Sequence, residues 1–372
     1  MTIHTNGHRL LLSRPMKGSS LAISLLAIST VAVAQIGVSD EPIHYASEKH
    51  FANVRQLTFG GNNAEAYWDF NGEKLIFQSD NKNWTKGCDQ IFVLDTKLEA
   101  DSLKRKLIST GNGRTTCAFF MPDNTSVIYA STHLAMDSCP PVPVKESGKY
   151  VWPIYPEYDI FQADLQGRII KQYTNEPGYD AEATVSPTGD KIVFTSTRSG
   201  DLDLWVMNID GSGLKQITNT LGYDGGAAFS ADGKQIVWRA SRPTTADDIK
   251  KYRELLDRDL VEPTALELFV ANADGTNARQ ITNLGNANWS PYFHPDGKRV
   301  VFCSNHKSKI GFPFNLFMIG TDGSGLEQIT FDTQFDSFIM FSPDGKKVSW
   351  CSNRHNGRTR DTNVFVADWV ED

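Results

Sequence analysis

The chain has 372 residues, a formal net charge of −7 and five cysteines. A chain of that length is too long to form a single small domain, and it suits one large all-β domain or two ordinary domains. An acidic chain without a basic patch is a poor match for a nucleic-acid-binding protein, so we expect no nucleic-acid partner.

Residues 1–34 are predicted to be a signal peptide. Three basic residues come first, and the apolar residues 21–34 follow, ending in the small-x-small pattern Ala32-Val33-Ala34. We predict cleavage after Ala34, a periplasmic or secreted protein, and no stable membrane insertion, because the apolar run is short for a membrane span. An uncleaved N-terminal anchor is the alternative. Cleavage would change the formal charge from −7 to −10, since the segment has three positive and no negative residues.

Residues 35–52 are predicted to be a short linker and residues 53–370 a single domain of repeats. Each repeat is centred on a strand, a tight turn and a second strand, and Pro, Asp and Gly supply the turn. The strand after each turn is apolar at most positions, which is typical of a sheet covered on both faces. The blocks occupy residues 68–79, 120–131, 185–196, 229–240, 293–304 and 341–352.

A third apolar strand follows each block, and a fourth strand with the pattern Gln-Ile-Thr follows in several repeats, as at Lys215–Thr218. Four antiparallel strands per repeat make a blade of a β-propeller. The sixth repeat ends at its third strand, Val364–Val366, whereas an unassigned fourth strand, Arg55–Thr58, precedes the first repeat. We therefore predict an all-β, six-bladed propeller whose ring is closed by the N-terminal strand. An open solenoid is the alternative.

The Gln-Ile-Thr strand, the Ser-Pro-Asp-Gly-Lys turn at residues 342–346 and the second Asp-Gly turn resemble the repeats of the TolB-type propeller family. The resemblance covers roughly residues 53–370 and is specific for the fold, but it says little about function. It implies a periplasmic propeller that docks a partner at the mouth of its channel. We expect the N-terminal α/β domain of TolB to be absent, because only residues 35–52 separate the leader from the first strand.

Strand polarity assigns the loops before strand one and between strands two and three to one side of the ring, which we call the loop face. The turns then lie on the opposite side, the turn face. Three insertions fall on the loop face, and loops of this length in a compact domain are typically functional or disordered. Simple capping of the channel is the alternative. The insertions are residues 132–157, 241–265 and 305–314.

Two of these insertions contain more specific signals. In the second, Thr245–Asp248 predicts the start of a helix by the capping-box pattern, with Asp in place of Glu. The first contributes the predicted contact residues His133, Tyr150, Trp152 and Tyr155.

The loops before strand one are expected to line the channel mouth. Converging carboxylates there could bind a cation or the amine of a partner. Arg114 could pair with Glu65 or Glu182. The alternative is structural, because an Asp before an inner strand often bonds to backbone N–H groups of a neighbouring blade. The predicted mouth residues are Glu65, Arg114, Asp180, Glu182, Asp224, Asn288 and Asp336.

An exported chain can hold disulfides, and an odd number of cysteines leaves at least one thiol free. Cys88, Cys117 and Cys139 fall near the loop face around the first two repeats. We expect one disulfide among them, with a small preference for a bond that ties the loop of Cys139. Cys303 and Cys351 occupy equivalent positions in second strands and are expected to be buried apolar residues.

The sequence contains no Gly-x-Ser-x-Gly elbow, no His-Glu-x-x-His helix and no Gly-rich phosphate loop. We therefore predict an exported binding or scaffold protein that presents the loop face to a protein, peptide or glycan. It would act as a monomer or within an envelope complex. No cofactor is expected, although a divalent cation would fit the carboxylates at the mouth. The alternative is a propeller-type lyase or hydrolase, with or without a metal, acting on a saccharide or peptide at the same mouth.

Overall fold

The computed structural model describes residues 42–97, 105–142, 150–357 and 359–371. The predicted signal peptide, its cleavage site and the first part of the linker lie outside the described residues. Within the described residues, six four-stranded antiparallel sheets form the blades of a propeller. No helix there is long and apolar enough to cross a membrane.

The strands of the first three blades follow chain order from the innermost strand outward. Blade 1 contains β2 (Asn63–Trp68), β3 (Lys74–Ser79), β4 (Gln90–Asp95) and β5 (Lys106–Leu107). Blade 2 contains β6 (Thr115–Phe120), β7 (Ser126–Ser131), β9 (Asp159–Asp164) and β10 (Ile169–Gln172). Blade 3 contains β11 (Asp180–Val185), β12 (Lys191–Ser196), β13 (Asp203–Asn208) and β14 (Lys215–Gln216).

The remaining blades are also described from the innermost strand outward. Blade 4 contains β15 (Asp224–Phe229), β16 (Gln235–Ala240), β18 (Glu267–Asn272) and β19 (Arg279–Gln280). Blade 5 contains β20 (Asn288–Phe293), β21 (Arg299–Ser304), β22 (Asn315–Gly320) and β23 (Glu327–Gln328). Blade 6 contains β24 (Asp336–Phe341), β25 (Lys347–Ser352), β26 (Asn363–Trp369) and β1 (Phe51–Gln56).

The N-terminal strand closes the ring. It pairs antiparallel with β26, with Phe51 opposite Trp369 and Gln56 opposite Phe365. Just beyond it, the Leu57 amide donates to the Val364 carbonyl at 2.8 Å. The edge of β26 is thereby covered, which removes an open inner seam from the ring. The predicted six-bladed propeller with an N-terminal closing strand is confirmed.

The apolar second strands are buried because neighbouring blades cover both of their faces. In β16, for example, Ile236 and Val237 are fully buried and Trp238 is nearly so. The Ser-Pro-Asp-Gly-Lys turn brings the Ser342 amide to the Lys347 carbonyl at 2.8 Å. Gly345 supplies the left-handed residue of this turn, with a φ of 70°.

Two insertions meet on the loop face. In blade 4, the helix α1 (Ala246–Leu256) begins after Thr245, whose hydroxyl accepts from the Asp248 amide at 3.1 Å. This is the predicted helix start. After the helix, β17 (Leu260–Val261) pairs antiparallel with β8 (Trp152–Pro153) from the blade 2 insertion. We call this pair of strands the bridging sheet.

Candidate functional site

A cavity of about 530 Å³ occupies the centre of the ring on the loop face. Residues of all six innermost strands line it, and the bridging sheet adds Trp152 and Pro153 to its wall. Small-molecule sites typically have volumes of roughly 300–1,000 Å³. The cavity is therefore large enough for a ligand of drug-like size.

A bulge in every innermost strand directs one residue to this cavity. At each bulge, two residues of the innermost strand lie opposite a single residue of the second strand. The third residue of each innermost strand lies at the bulge and has a φ between 49° and 60°. Such a φ is uncommon for residues other than glycine, so the blade geometry imposes it. The six bulge residues, all lining the cavity, are Glu65, Cys117, Glu182, Gly226, Ser290 and Phe338.

Glu182 is neutralised by the buried Arg239, whose guanidinium contacts one carboxylate oxygen and the Tyr223 hydroxyl. The other oxygen accepts from the Thr195 hydroxyl at 2.6 Å and from the Gly226 amide at 2.9 Å. A Cβ atom at Gly226 would collide with the guanidinium of Arg239. Glycine at this bulge therefore leaves the space that the guanidinium needs.

Arg114 pairs with Asp89, in the loop before β4. Its Nε and Nη2 atoms lie 2.9 and 2.5 Å from Oδ2 of Asp89. Asp89 is thus the partner of Arg114, in place of the predicted Glu65 or Glu182. The reason is that Glu182 is already held by Arg239, while Asp89 lies on the same face in the adjacent blade.

Glu65 has no ion-pair partner among the described residues. The neighbouring thiol of Cys117 and, to a lesser extent, the positive charge of Arg239 favour the ionised form of this carboxyl group. Burial, reinforced by the negative charge of Glu182, raises the pKa of Glu65 to about 7. The carboxyl group borders the cavity and changes its charge near neutral pH.

Several tyrosine hydroxyls of the cavity wall also have no hydrogen-bond partner within the described ranges. Burial holds their pKa values above the usual range, so the hydroxyls stay neutral. A hydroxyl that borders a cavity and has no protein partner is available to bond to water or to a ligand. These residues are Tyr67, Tyr158, Tyr179 and Tyr292.

The first insertion supplies an aromatic wall. Tyr150, Trp152 and Tyr155 line the cavity, and the ring centroids of Trp152 and Trp289 are 5.1 Å apart. The Trp152 ring also lies 5.3 Å from the guanidinium carbon of Arg239. Of the predicted contact residues, His133 lies outside the cavity lining.

His133 is held within its own blade. Its ring packs on Phe161 with centroids 4.4 Å apart, and its Nδ1 atom lies 2.9 Å from the Ser131 hydroxyl. Burial lowers the pKa of the imidazole, so it is neutral at physiological pH. These contacts hold its ring against the blade, away from the cavity.

The predicted mouth residues Asp180, Asp224 and Asp336 are buried and do not line the cavity. Each forms an ion pair with an arginine that stands 18 positions later in the same blade. The pairs are Asp180 with Arg198 at 2.7 and 2.8 Å, Asp224 with Arg242 at 2.6 and 3.1 Å, and Asp336 with Arg354 at 2.8 Å.

Asn288 occupies the equivalent position in blade 5 and also lies outside the cavity lining. Its amide donates to the Leu266 carbonyl at 2.8 Å, and its side-chain oxygen accepts from the Ser304 hydroxyl at 2.6 Å. The first position of the innermost strand therefore holds the blade together, and the third position faces the ligand space.

Some cavity residues were missed by the sequence analysis, namely Asp89, Arg239 and the four tyrosines with unpartnered hydroxyls. A signal for Arg239 was present, because a charged residue interrupts the apolar strand Gln235–Ala240. The spacing of 18 positions between each Asp and its Arg was a further signal. This spacing distinguishes the aspartates that form ion pairs within a blade from the carboxylates that line the cavity.

Residues 155–252 match a family model described as the TolB beta propeller domain. This chain is a TolB-like six-bladed β-propeller. A TolB-type protein from Agrobacterium tumefaciens is 18% identical, with a TM-score of 0.53 over 84% of this chain and 91% of that chain. TolB from Acinetobacter baumannii is 16% identical, with a TM-score of 0.53 over 82% of this chain and 65% of that chain.

Hydrazine synthase from Kuenenia stuttgartiensis shares the fold at 14% identity and a TM-score of 0.51, over 73% of this chain and 39% of that chain. No curated protein sequence matches the chain. At such identities the likeness establishes the fold alone, so function has to be argued from the cavity.

A disulfide ties the first insertion of this TolB-like propeller to blade 1. It joins Cys88 to Cys139, with their Cα atoms 5.8 Å apart, and leaves Cys117 free. Burial, together with the charges of Glu65 and Glu182, raises the pKa of the Cys117 thiol well above its usual range. The thiol is therefore protonated at neutral pH and is a weak nucleophile.

The described residues hold no group of three or more His, Cys, Asp or Glu side chains arranged to share a metal ion. In the cavity, Asp89 and Glu182 are each bound to an arginine. Neither of these two carboxylates could therefore bind a metal ion without losing its ion pair.

Proposed function

We propose that this TolB-like propeller is a binding protein that takes a ligand into the cavity on its loop face. The observation that carries the proposal is a cavity of about 530 Å³ with an aromatic wall and several polar groups that lack a protein partner within the described residues. An apolar site with a few convergent polar groups is typical of small-molecule recognition. The ligand would be a small molecule, or a segment of a protein, peptide or glycan that reaches into the cavity.

Three ionisable groups of the cavity favour binding over catalysis. The Cys117 thiol is kept protonated, and Asp89 and Glu182 are occupied by guanidinium groups. The proposal also includes export through the signal peptide predicted for residues 1–34. The protein would then meet its ligand in the periplasm or outside the cell.

A photo-crosslinking experiment in intact cells tests the proposed binding face. Benzoylphenylalanine would replace Tyr150, which is exposed and lines the cavity, or Leu214, which is exposed on the turn face. We expect a specific adduct from position 150 that disappears when Trp289→Ala is added. An adduct from position 214 alone, or none from position 150, would contradict the proposal.

One observation favours the alternative of a lyase or hydrolase at the same mouth. A carboxyl group with a pKa of about 7, such as Glu65, suits a general acid or base. Purified protein would be incubated with oligosaccharides and short peptides, and products sought by mass spectrometry. Turnover that Glu65→Gln abolishes would favour the enzyme, whereas intact substrates would favour the binding protein.

A further inference from the structure

The cavity wall contains more carboxyl groups than guanidinium groups. Three carboxyl groups and two guanidinium groups line the cavity. Asp89 is bound by Arg114 and Glu182 by Arg239, so Glu65 is left without a counter-charge among the described residues. Removing a carboxylate from water is costly unless a positive group accompanies it.

We propose that the cavity binds an organic cation whose ammonium group supplies the counter-charge that Glu65 lacks. This inference rests on the proposed function and adds the chemical class of the ligand. An amine carried by a small molecule or by a side chain of a partner has the required chemistry.

The surroundings of Glu65 suit a cation. Tyr67 follows it by two positions on β2, and Phe119 on the adjacent strand β6 has its ring centroid 5.8 Å from that of Tyr67. Aromatic faces attract an ammonium group through their quadrupoles, and more strongly where water is excluded. The Tyr67 hydroxyl, which has no hydrogen-bond partner within the described ranges, can also accept a hydrogen bond from the ligand.

An anionic ligand is disfavoured by the same arrangement. Both guanidinium groups of the wall are already paired with carboxylates, so an anion would have to break a buried ion pair. It would also meet the negative charge of Glu65 whenever that group is ionised. A neutral ligand would leave Glu65 without a counter-charge.

Proton binding by Glu65 makes the inference measurable. An ammonium group stabilises the ionised carboxylate, so ligand binding releases a proton from Glu65 to solvent. Affinity for the cation should therefore rise as the pH increases through about 7. The other ionisable groups that interact with Glu65 are either ion-paired, like Asp89, Glu182 and Arg239, or neutral at this pH, like Tyr67, Cys117 and Cys351.

Calorimetric titration with three probes of one skeleton tests the inference. Phenethylammonium is the cation, phenethyl alcohol the neutral probe and phenylacetate the anion. We expect the cation to bind at least about tenfold more tightly than the alcohol at about pH 8, and this preference to shrink at about pH 5.5. Glu65→Gln should remove the preference, while Glu176→Gln, at an exposed carboxylate outside the cavity, should leave it unchanged.

The pH comparison uses the natural protein, so it remains informative if a variant folds poorly. Equal binding of the three probes, preference for the alcohol or the anion, or no binding of the cation would overturn the inference. The crosslink from position 150 is independent of ligand charge. It would therefore still support the proposed function if only the cation inference failed.

Discussion

Replacing Glu65 by glutamine tests the electrostatics of the cavity through protein stability. The folded protein raises the pKa of Glu65 from 4.5 to about 7, so the carboxyl binds its proton more tightly in the folded than in the unfolded chain. At about 1.36 kcal/mol for each pKa unit, this difference amounts to at most roughly 3 kcal/mol of unfolding free energy. Water in the cavity reduces the value by screening the charge.

The sign of the effect follows from proton binding. Because the pKa is raised on folding, Glu65 costs no stability below its unfolded pKa. Its cost grows as the pH rises from about 4.5 to about 7 and is constant above that. Glutamine carries no charge, so the variant escapes this cost. We expect Glu65→Gln to resemble the natural protein near pH 4 and to exceed its stability, by up to roughly 3 kcal/mol, near pH 8.

Urea denaturation followed by tryptophan fluorescence at both pH values measures the difference. Glu176→Gln is the matched control, because Glu176 is exposed and its replacement should change stability little at either pH. A pH-independent difference, or a variant that is less stable near pH 8, would refute the conclusion that Glu65 is a partly buried carboxyl without a counter-charge.

Further predictions concern the scaffold around the cavity. Arg354→Ala should lower the unfolding free energy by roughly 3–5 kcal/mol, because Arg354 is buried with the carboxylates of Glu48 and Asp336. Arg168→Ala, at an exposed ion pair, should change it by less than about 1 kcal/mol in the same denaturation assay. Gly226→Ala should destabilise the protein more than Gly297→Ala. Both glycines have a positive φ, but only at Gly226 would the added Cβ atom collide with a guanidinium group, that of Arg239. Equal melting temperatures of the two variants would argue against that close contact.

The blades could be predicted from the sequence because their signals are local. Each tight turn uses two or three of the residues Pro, Asp and Gly within a few positions, and the apolar strand after it directly reflects burial on both faces. The closing strand was found by counting, since Arg55–Thr58 had no other partner. The bridging sheet could not be found this way, because Trp152 and Val261 are far apart in sequence and form only a short pairing.

The cavity was harder to predict because it depends on contacts between strands. Asp180 and Glu182 are two positions apart, yet the first forms an ion pair inside its blade and the second faces the channel. The bulge that separates them arises from a register shift between β11 and β12. Likewise, Glu65 and Glu182 occupy the same blade position and differ because only Glu182 contacts Arg239.

A crystal structure of the protein soaked with phenethylammonium at about pH 8 would examine the cavity most directly. We predict electron density for the probe between the aromatic rings of the wall, with its nitrogen within hydrogen-bond distance of the Glu65 carboxylate. An empty cavity, a probe bound on the turn face, or a nitrogen turned away from Glu65 would contradict the proposed role of this cavity.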